Sequence, residues 1–194
     1  IYRVGATFRL LCLVPENTEL PLTVCGIERC APSQAYGPCK RDDYHLHFVL
    51  DGKGTLRIED KYYYPHQGQI FVVPPDIDIH YYCDAEKPWH YTWVSFTGTK
   101  AAYYLEKAEI TIDHPVRDCY INPEEFRAYT EKILKYHELT IANELLRNSL
   151  LYELLALLVN SQNQNLINNH KPVEHDYSPD VYVDNALQYI HDHY

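Results

Sequence analysis

The chain has 194 residues, with 27 acidic against 17 basic side chains and a formal net charge of −10. That length holds one domain with a real core plus an appendage. The acidic balance argues against these residues gripping a phosphate backbone.

No apolar run of about eighteen residues and no charged-then-apolar leader occurs, so neither a membrane span nor an export signal is read and a cytoplasmic location is expected. Six cysteines lack any C-x-x-C pair and are expected as free thiols, not a disulfide framework or zinc site. The chain opens at Ile1, contains no methionine and stops at Tyr194 within a helix-like pattern, which reads as a fragment.

Residues 1–21 are expected as an irregular arm with an apolar start (Phe8, Leu10, Leu11, Leu13, Val14). From Leu22 to Phe96 the chain is β-rich. "YHLHFVL" alternates, with Tyr44, Leu46, Phe48 and Leu50 on one face and His45, His47 and Val49 on the other. Asp51-Gly52-Lys53-Gly54 is a turn, "TLRIE" resumes a strand, and "QIFVVPP" is a short strand stopped by prolines. "IHYYC" and "HYTWVSF" form a further hairpin. Many short strands at near-even spacing predict a sandwich or barrel.

After residue 121 the period becomes helical. Asn122-Pro123-Glu124-Glu125 combines a capping Asn, a first-turn Pro and acids at the positive end of the dipole. Phe126, Tyr129, Ile133, Leu134 and His137 then recur at helical spacing. A second helix, about Ile141 to Val159, carries leucines at 145, 146, 150, 151, 154, 155, 157 and 158. That girdle exceeds one stripe and implies two partners, the β-domain and a second subunit, with Leu151 and Leu155 assigned to the outer seam. Burial deep in its own domain is the competing reading. Residues 161–179 are a polar linker, and 180–194 ("DVYVDNALQYIHDHY") open another amphipathic helix.

Barrels of the cupin type hold metals with a His-x-His pair plus Glu, then a Gly, a Pro six on and a final His. Gly68 and Pro74 fit, but His80 is one residue late and the metal position falls on Ile79, on the opposite side of the strand. His45 and His47 lie too far downstream for the first motif and read as ordinary surface or packed histidines on a half-exposed strand. No metal and no cofactor is expected. The chain is instead rich in aromatics: Tyr81, Tyr82, Trp89, Tyr91 and Trp93 sit on the late strands, and Tyr91, Trp93 and Ser95 share a face. A flat ring with a polar tip covers the apolar face of a sugar and hydrogen-bonds its rim, although taken singly each ring is more often core filling.

The run "CGIERCAPSQAYGPCKRDDYHLHFVLDGKGTLRI", then "GQIFVVPPDIDIHYYCDAEKPWHYTWVSFTG", then two helices and a polar linker, resembles the N-terminal sensing half of AraC-type transcription regulators. It is most similar to the subgroup controlling sugar-utilisation operons. The resemblance implies a mainly β fold: a cupin-like jelly-roll barrel over residues 22–121 that holds a small-molecule effector. A helical pair over 122–160 would mediate a homodimer, and 180–194 would begin a truncated helix-turn-helix domain, the only part to touch DNA. Carried over by position, the effector site is Tyr81, Tyr91 and Trp93, with Glu28 and Arg41 as polar partners. A sugar is the implied effector and catalysis is not implied. Two rivals stand beside this reading: a metal-dependent cupin enzyme such as a sugar isomerase or dioxygenase, and a dimerisation module with a filled core.

Overall fold

The computed structural model describes residues 2–4, 7–12, 19–169, 171, 183 and 186–191. The strands are β1 (Tyr2–Val4), β2 (Thr7–Leu11), β3 (Leu22–Arg29), β4 (Ala35–Cys39), β5 (Tyr44–Asp51), β6 (Gly54–Ile58), β7 (Lys61–Tyr63), β8 (Gln69–Val73), β9 (Ile79–Cys83), β10 (His90–Phe96) and β11 (Val116–Asp118). The helices are α1 (Ala101–Lys107), α2 (Pro123–Lys135) and α3 (Ile141–Asn168). Residues 1–162 form one compact unit and 163–194 a second.

The first unit is built on two antiparallel sheets, one ordered β1-β2-β3-β10-β5-β8-β11 and the other β4-β9-β6-β7. Successive strands from β3 to β10 cross from sheet to sheet, except for the β6–β7 hairpin. The inner order β3-β10-β5-β8 facing β4-β9-β6-β7 is a jelly roll, the architecture of cupin barrels. At the β5–β6 turn Gly52 takes a φ of +75°, and a Cβ on Gly54 would lie 2.4 Å from the Trp89 ring. The expected irregular arm is different in its first part. β2 pairs with β3 from Thr7↔Glu28 to Leu11↔Val24, because an open edge beside β3 offers unpaired amides and carbonyls that a neighbouring chain segment satisfies. Leu13, Val14 and the polar residues 16–18 lie outside the described residues.

The larger sheet is buried on both faces. One face meets the smaller sheet in a core of Val49, Leu56, Phe71, Val73, Ile79 and Trp89. The other meets the helices through Leu46, Phe48, Leu50, Ile70, Val94 and Phe96. The expected alternation of β5 is therefore right and the expected half-exposure is not: His45 and His47 are 3% and 1% exposed. Ile79 is fully buried in the inner core, and His80 faces outward beside Tyr82.

α2 begins as anticipated, with Asn122 Oδ1 accepting from the Glu124 amide at 3.0 Å. It ends at Lys135, so His137 lies beyond it. A buried hydroxyl pair ties it to the sheet: Thr92 Oγ1 donates to Thr130 Oγ1 (2.7 Å), with the Gly26 carbonyl also in reach (3.0 Å). α3 buries one stripe, Arg147, Leu150, Leu151, Leu154, Leu155, Leu158 and Gln162. Leu151 and Leu155 thus pack into this chain's own core instead of an outer seam, because they continue the i, i+3, i+4 series from Arg147 that faces the sheet. The opposite face, Ile141, Leu145, Tyr152 and Ala156, is exposed. Arg147 donates to the carbonyls of Tyr136 (2.6 Å) and Glu138 (3.1 Å), closing the α2–α3 connection.

The helix runs to Asn168, through the first eight residues of the expected linker. Asn, Gln and Ser each cost only a few tenths of a kcal/mol in a helix interior, too little to stop one anchored by Leu158 and Gln162. In the second unit, residues 186–191 are helical with Leu187 and Ile190 exposed. Among the described residues no helix is long and apolar enough to cross a membrane. All six cysteines are free.

Candidate functional site

Of the five residues assigned from the sequence, Tyr81, Tyr91 and Trp93 meet inside the jelly roll, and Glu28 and Arg41 are half-buried beside them. Tyr91 and Trp93 stand two apart on β10, so both rings enter the space between the sheets, their centroids 5.7 Å apart. Tyr91 is paired with Glu28 across β3, and its hydroxyl donates to Glu28 Oε2 at 2.9 Å. The other carboxylate oxygen accepts from Gln34 Nε2 at 2.6 Å. Tyr81 enters from β9 in the opposite sheet and stacks on Tyr36 at 5.2 Å. Arg41, just past β4, lies 4.4 Å over the Tyr36 ring, and its charge acts on the Tyr81 phenol. Tyr81, Tyr91 and Trp93 are 6%, 4% and 7% exposed. Burial raises the Tyr81 and Tyr91 phenols above their ordinary value, so both remain hydroxyl donors.

The residue that sequence reasoning missed is His47. It pairs with Trp93 across β5 and β10 and stacks on Phe71 at 4.4 Å, the two rings 3° from parallel. Its centroid is 5.2 Å from Tyr91, 5.5 Å from Tyr81 and 6.3 Å from Trp93, so it touches all three assigned aromatics. Burial, aided by the charges of His45 and Arg41, holds its imidazole well below the usual range. The available signal was its place on the inward face of β5, which the alternation already marked.

His45 is engaged elsewhere. Its Nε2 lies 2.8 Å from Asp43 Oδ1, and the other Asp43 oxygen accepts from Thr23 Oγ1. Burial alone would raise the Asp43 carboxyl, but the His45 and Thr23 hydrogen bonds and the Arg41 charge hold it below the usual range. Among the described residues no group of three or more His, Cys, Asp or Glu is placed to hold a metal ion. A cleft of about 380 Å³ opens on the helix side of the larger sheet, lined by Tyr44, Val72, Pro74, Leu105 and Ile110. Its walls are mainly apolar and its charged lining residues, Glu106 and Asp113, are exposed, whereas buried polar groups meet between the sheets; the latter is the stronger candidate.

A family model described as the AraC-like ligand binding domain matches residues 21–155. The chain belongs to that family. It is 31% identical over 187 residues to the Msm operon regulatory protein of Streptococcus mutans, covering 92% of this chain and 62% of that protein. It is 30% identical over 95 residues to the lactose operon transcription activator of Staphylococcus xylosus (49% and 34% covered). It is 29% identical over 153 residues to the raffinose operon transcriptional regulatory protein of Pediococcus pentosaceus (75% and 52%). The chain therefore spans 34% to 62% of the length of these relatives. Among solved structures it is similar to a cupin 2 conserved barrel domain protein from Salinispora arenicola, at 16% identity and a TM-score of 0.37, with 46% of this chain and 72% of that one covered.

Proposed function

We propose that this chain is the effector-sensing and dimerising part of a cytoplasmic transcription regulator that answers to a sugar and controls carbohydrate-utilisation genes. The observation that carries the reading is the meeting of Trp93, Tyr91 and Tyr81 between the sheets of an AraC-like ligand-binding domain, with Glu28 bonded to Tyr91 and the Arg41 charge acting on Tyr81. An aromatic face beside a fixed carboxylate and a guanidinium offers stacking, an acceptor and donors, which is what a sugar presents surfaces for. The relatives' names, with their lactose and raffinose operons, support the same class. The site works by binding, not by turnover, and DNA contact belongs to a helix-turn-helix part for which 180–194 is the start.

The second copy is proposed to dock on the exposed face of α3 through Ile141, Leu145, Tyr152 and Ala156, an isologous contact about a two-fold axis. A thermal-shift screen of the chain against lactose, raffinose and other saccharides tests the sensing role. A sugar present at about 100 times its Kd stabilises the fold by roughly 2.7 kcal/mol. Flat melting curves across the sugars, or a stoichiometric metal in the purified protein, would contradict the reading and favour the cupin-enzyme alternative.

A further inference from the structure

Two buried polar atoms on the inner face of the larger sheet have no hydrogen-bond partner among the described residues: His47 Nδ1 and Ser95 Oγ. Both residues are essentially inaccessible, at 1% and 0% exposure. They flank one aromatic. His47 stands directly across from Trp93, and Ser95 follows Trp93 by two on the same face of β10, directly across from His45. His47 and Ser95 are therefore diagonal neighbours across the β5–β10 ladder, with Cα atoms roughly 7–8 Å apart.

A buried polar group left unpaired is costly, and native interiors leave few of them. Two such atoms beside the same indole, among the rings of the candidate site, are groups whose hydrogen bonds a bound hydroxyl would complete. We propose that His47 Nδ1 and Ser95 Oγ form a polar subsite beside Trp93 that takes two hydroxyl groups of one uncharged polyol, so that this pair selects a hydroxylated ring over an aromatic metabolite of similar size. The inference rests on the sensing role proposed above and deepens it. An imidazole kept neutral by burial offers a lone pair or an N–H instead of a positive charge, which suits a hydroxyl better than a phosphate or carboxylate. Ser95 supplies a hydroxyl that rotates to donate or accept. Sites built to hydrogen-bond a ligand hydroxyl reject analogues that lack it, because their own polar groups are then left unpaired.

The test is calorimetric titration of the whole chain and of His47→Phe and Ser95→Ala with raffinose and lactose, with p-cresol as an aromatic probe bearing one hydroxyl. His47→Phe retains a ring to stack on Phe71, and Ser95→Ala removes a single oxygen. The subsite predicts sugar binding by the unsubstituted chain, a Kd raised about 10-fold by each substitution, and ligand-free melting temperatures unchanged or higher. Equal sugar affinity in the unsubstituted chain and both variants overturns the subsite while the sensing role stands, and means that the two atoms are merely hydrated. Binding of p-cresol without either sugar also overturns it. If no probe binds, the sensing role falls and the subsite with it. Should His47→Phe fail to fold, Ser95→Ala decides alone.

Discussion

The Tyr91 hydroxyl donates to Glu28 Oε2 at 2.9 Å, joining the middle strand β10 to β3 at the candidate site. Glu28 is half-buried and also accepts from Gln34, so its carboxylate is held in place before any ligand arrives. Hydrogen bonds to a charged group contribute about 1.5–3 kcal/mol when dry, and partial exposure of Glu28 brings this nearer 1 kcal/mol. Tyr91→Phe and Glu28→Gln, with the double variant, should show a coupling of about 1 kcal/mol in urea unfolding. Additive single effects would mean that the pair does not hold the site.

Acid should weaken the fold through His47. A buried base held below its ordinary range takes up its proton in the unfolded chain first. From about 6.5 downward the unfolded state then binds more protons and stability falls with pH, by up to about 1.4 kcal/mol per unit. Above 6.5 both states are neutral and the slope vanishes. Asp43 acts at lower pH: its depressed carboxyl stabilises the fold above its unfolded value and that contribution is lost as pH falls through the folded value. Urea titrations of the unsubstituted chain should fall in stability between pH 6.5 and 5, and His47→Phe should make that limb shallower, the remainder belonging to His90, which burial and the Arg29 charge also hold below its ordinary value. An unchanged slope in the variant would place the proton uptake elsewhere.

On the proposed dimer, assembly and folding separate on α3. Leu145→Glu with Tyr152→Glu charges the exposed face and should give a folded monomer in sedimentation velocity, against a dimer for the unsubstituted chain. Leu151→Asp puts a carboxylate into the core at a fully buried position and should abolish folding. A dimer that survives the Leu145/Tyr152 change would move the seam away from α3.

Arg147 provides a control remote from the site. Removing its guanidinium takes the side-chain donor from the Tyr136 carbonyl, leaves the Glu138 carbonyl only the longer Asn143 Nδ2 contact (3.4 Å), and opens space beneath α3. Arg147→Ala should cost roughly 2–4 kcal/mol in chemical unfolding without altering sugar affinity at saturating folded fraction.

Much of this was legible in local chemistry. The β-rich span from Leu22 to Phe96 coincides with β3 through β10, and Asn122-Pro123 marks the start of α2 where capping rules place it. The assigned rings meet as the alternation of β10 requires. What escaped depends on which surfaces cover which. A strand alternating His and Leu reads as half-exposed, but helices on one side and a second sheet on the other bury both faces of β5, so His47 became visible only with the two layers assembled. Leucines at nearly every turn of α3 do not say which stripe faces the sheet; Leu151 and Leu155 turned inward and Leu145 outward. The pairing of β2 with β3 is a long-range edge contact with no local signature.

The chain has two tryptophans, Trp89 sealed in the inner core and Trp93 at the candidate site, so its emission reports directly on the central claim. The decisive measurement is a fluorescence titration with raffinose and lactose on the unsubstituted chain and on Trp93→Ala, with a urea melt to show that the variant is folded. The account predicts a saturable change in emission in the unsubstituted chain and no sugar binding, by fluorescence or calorimetry, in folded Trp93→Ala. Undiminished sugar affinity in that variant would contradict it.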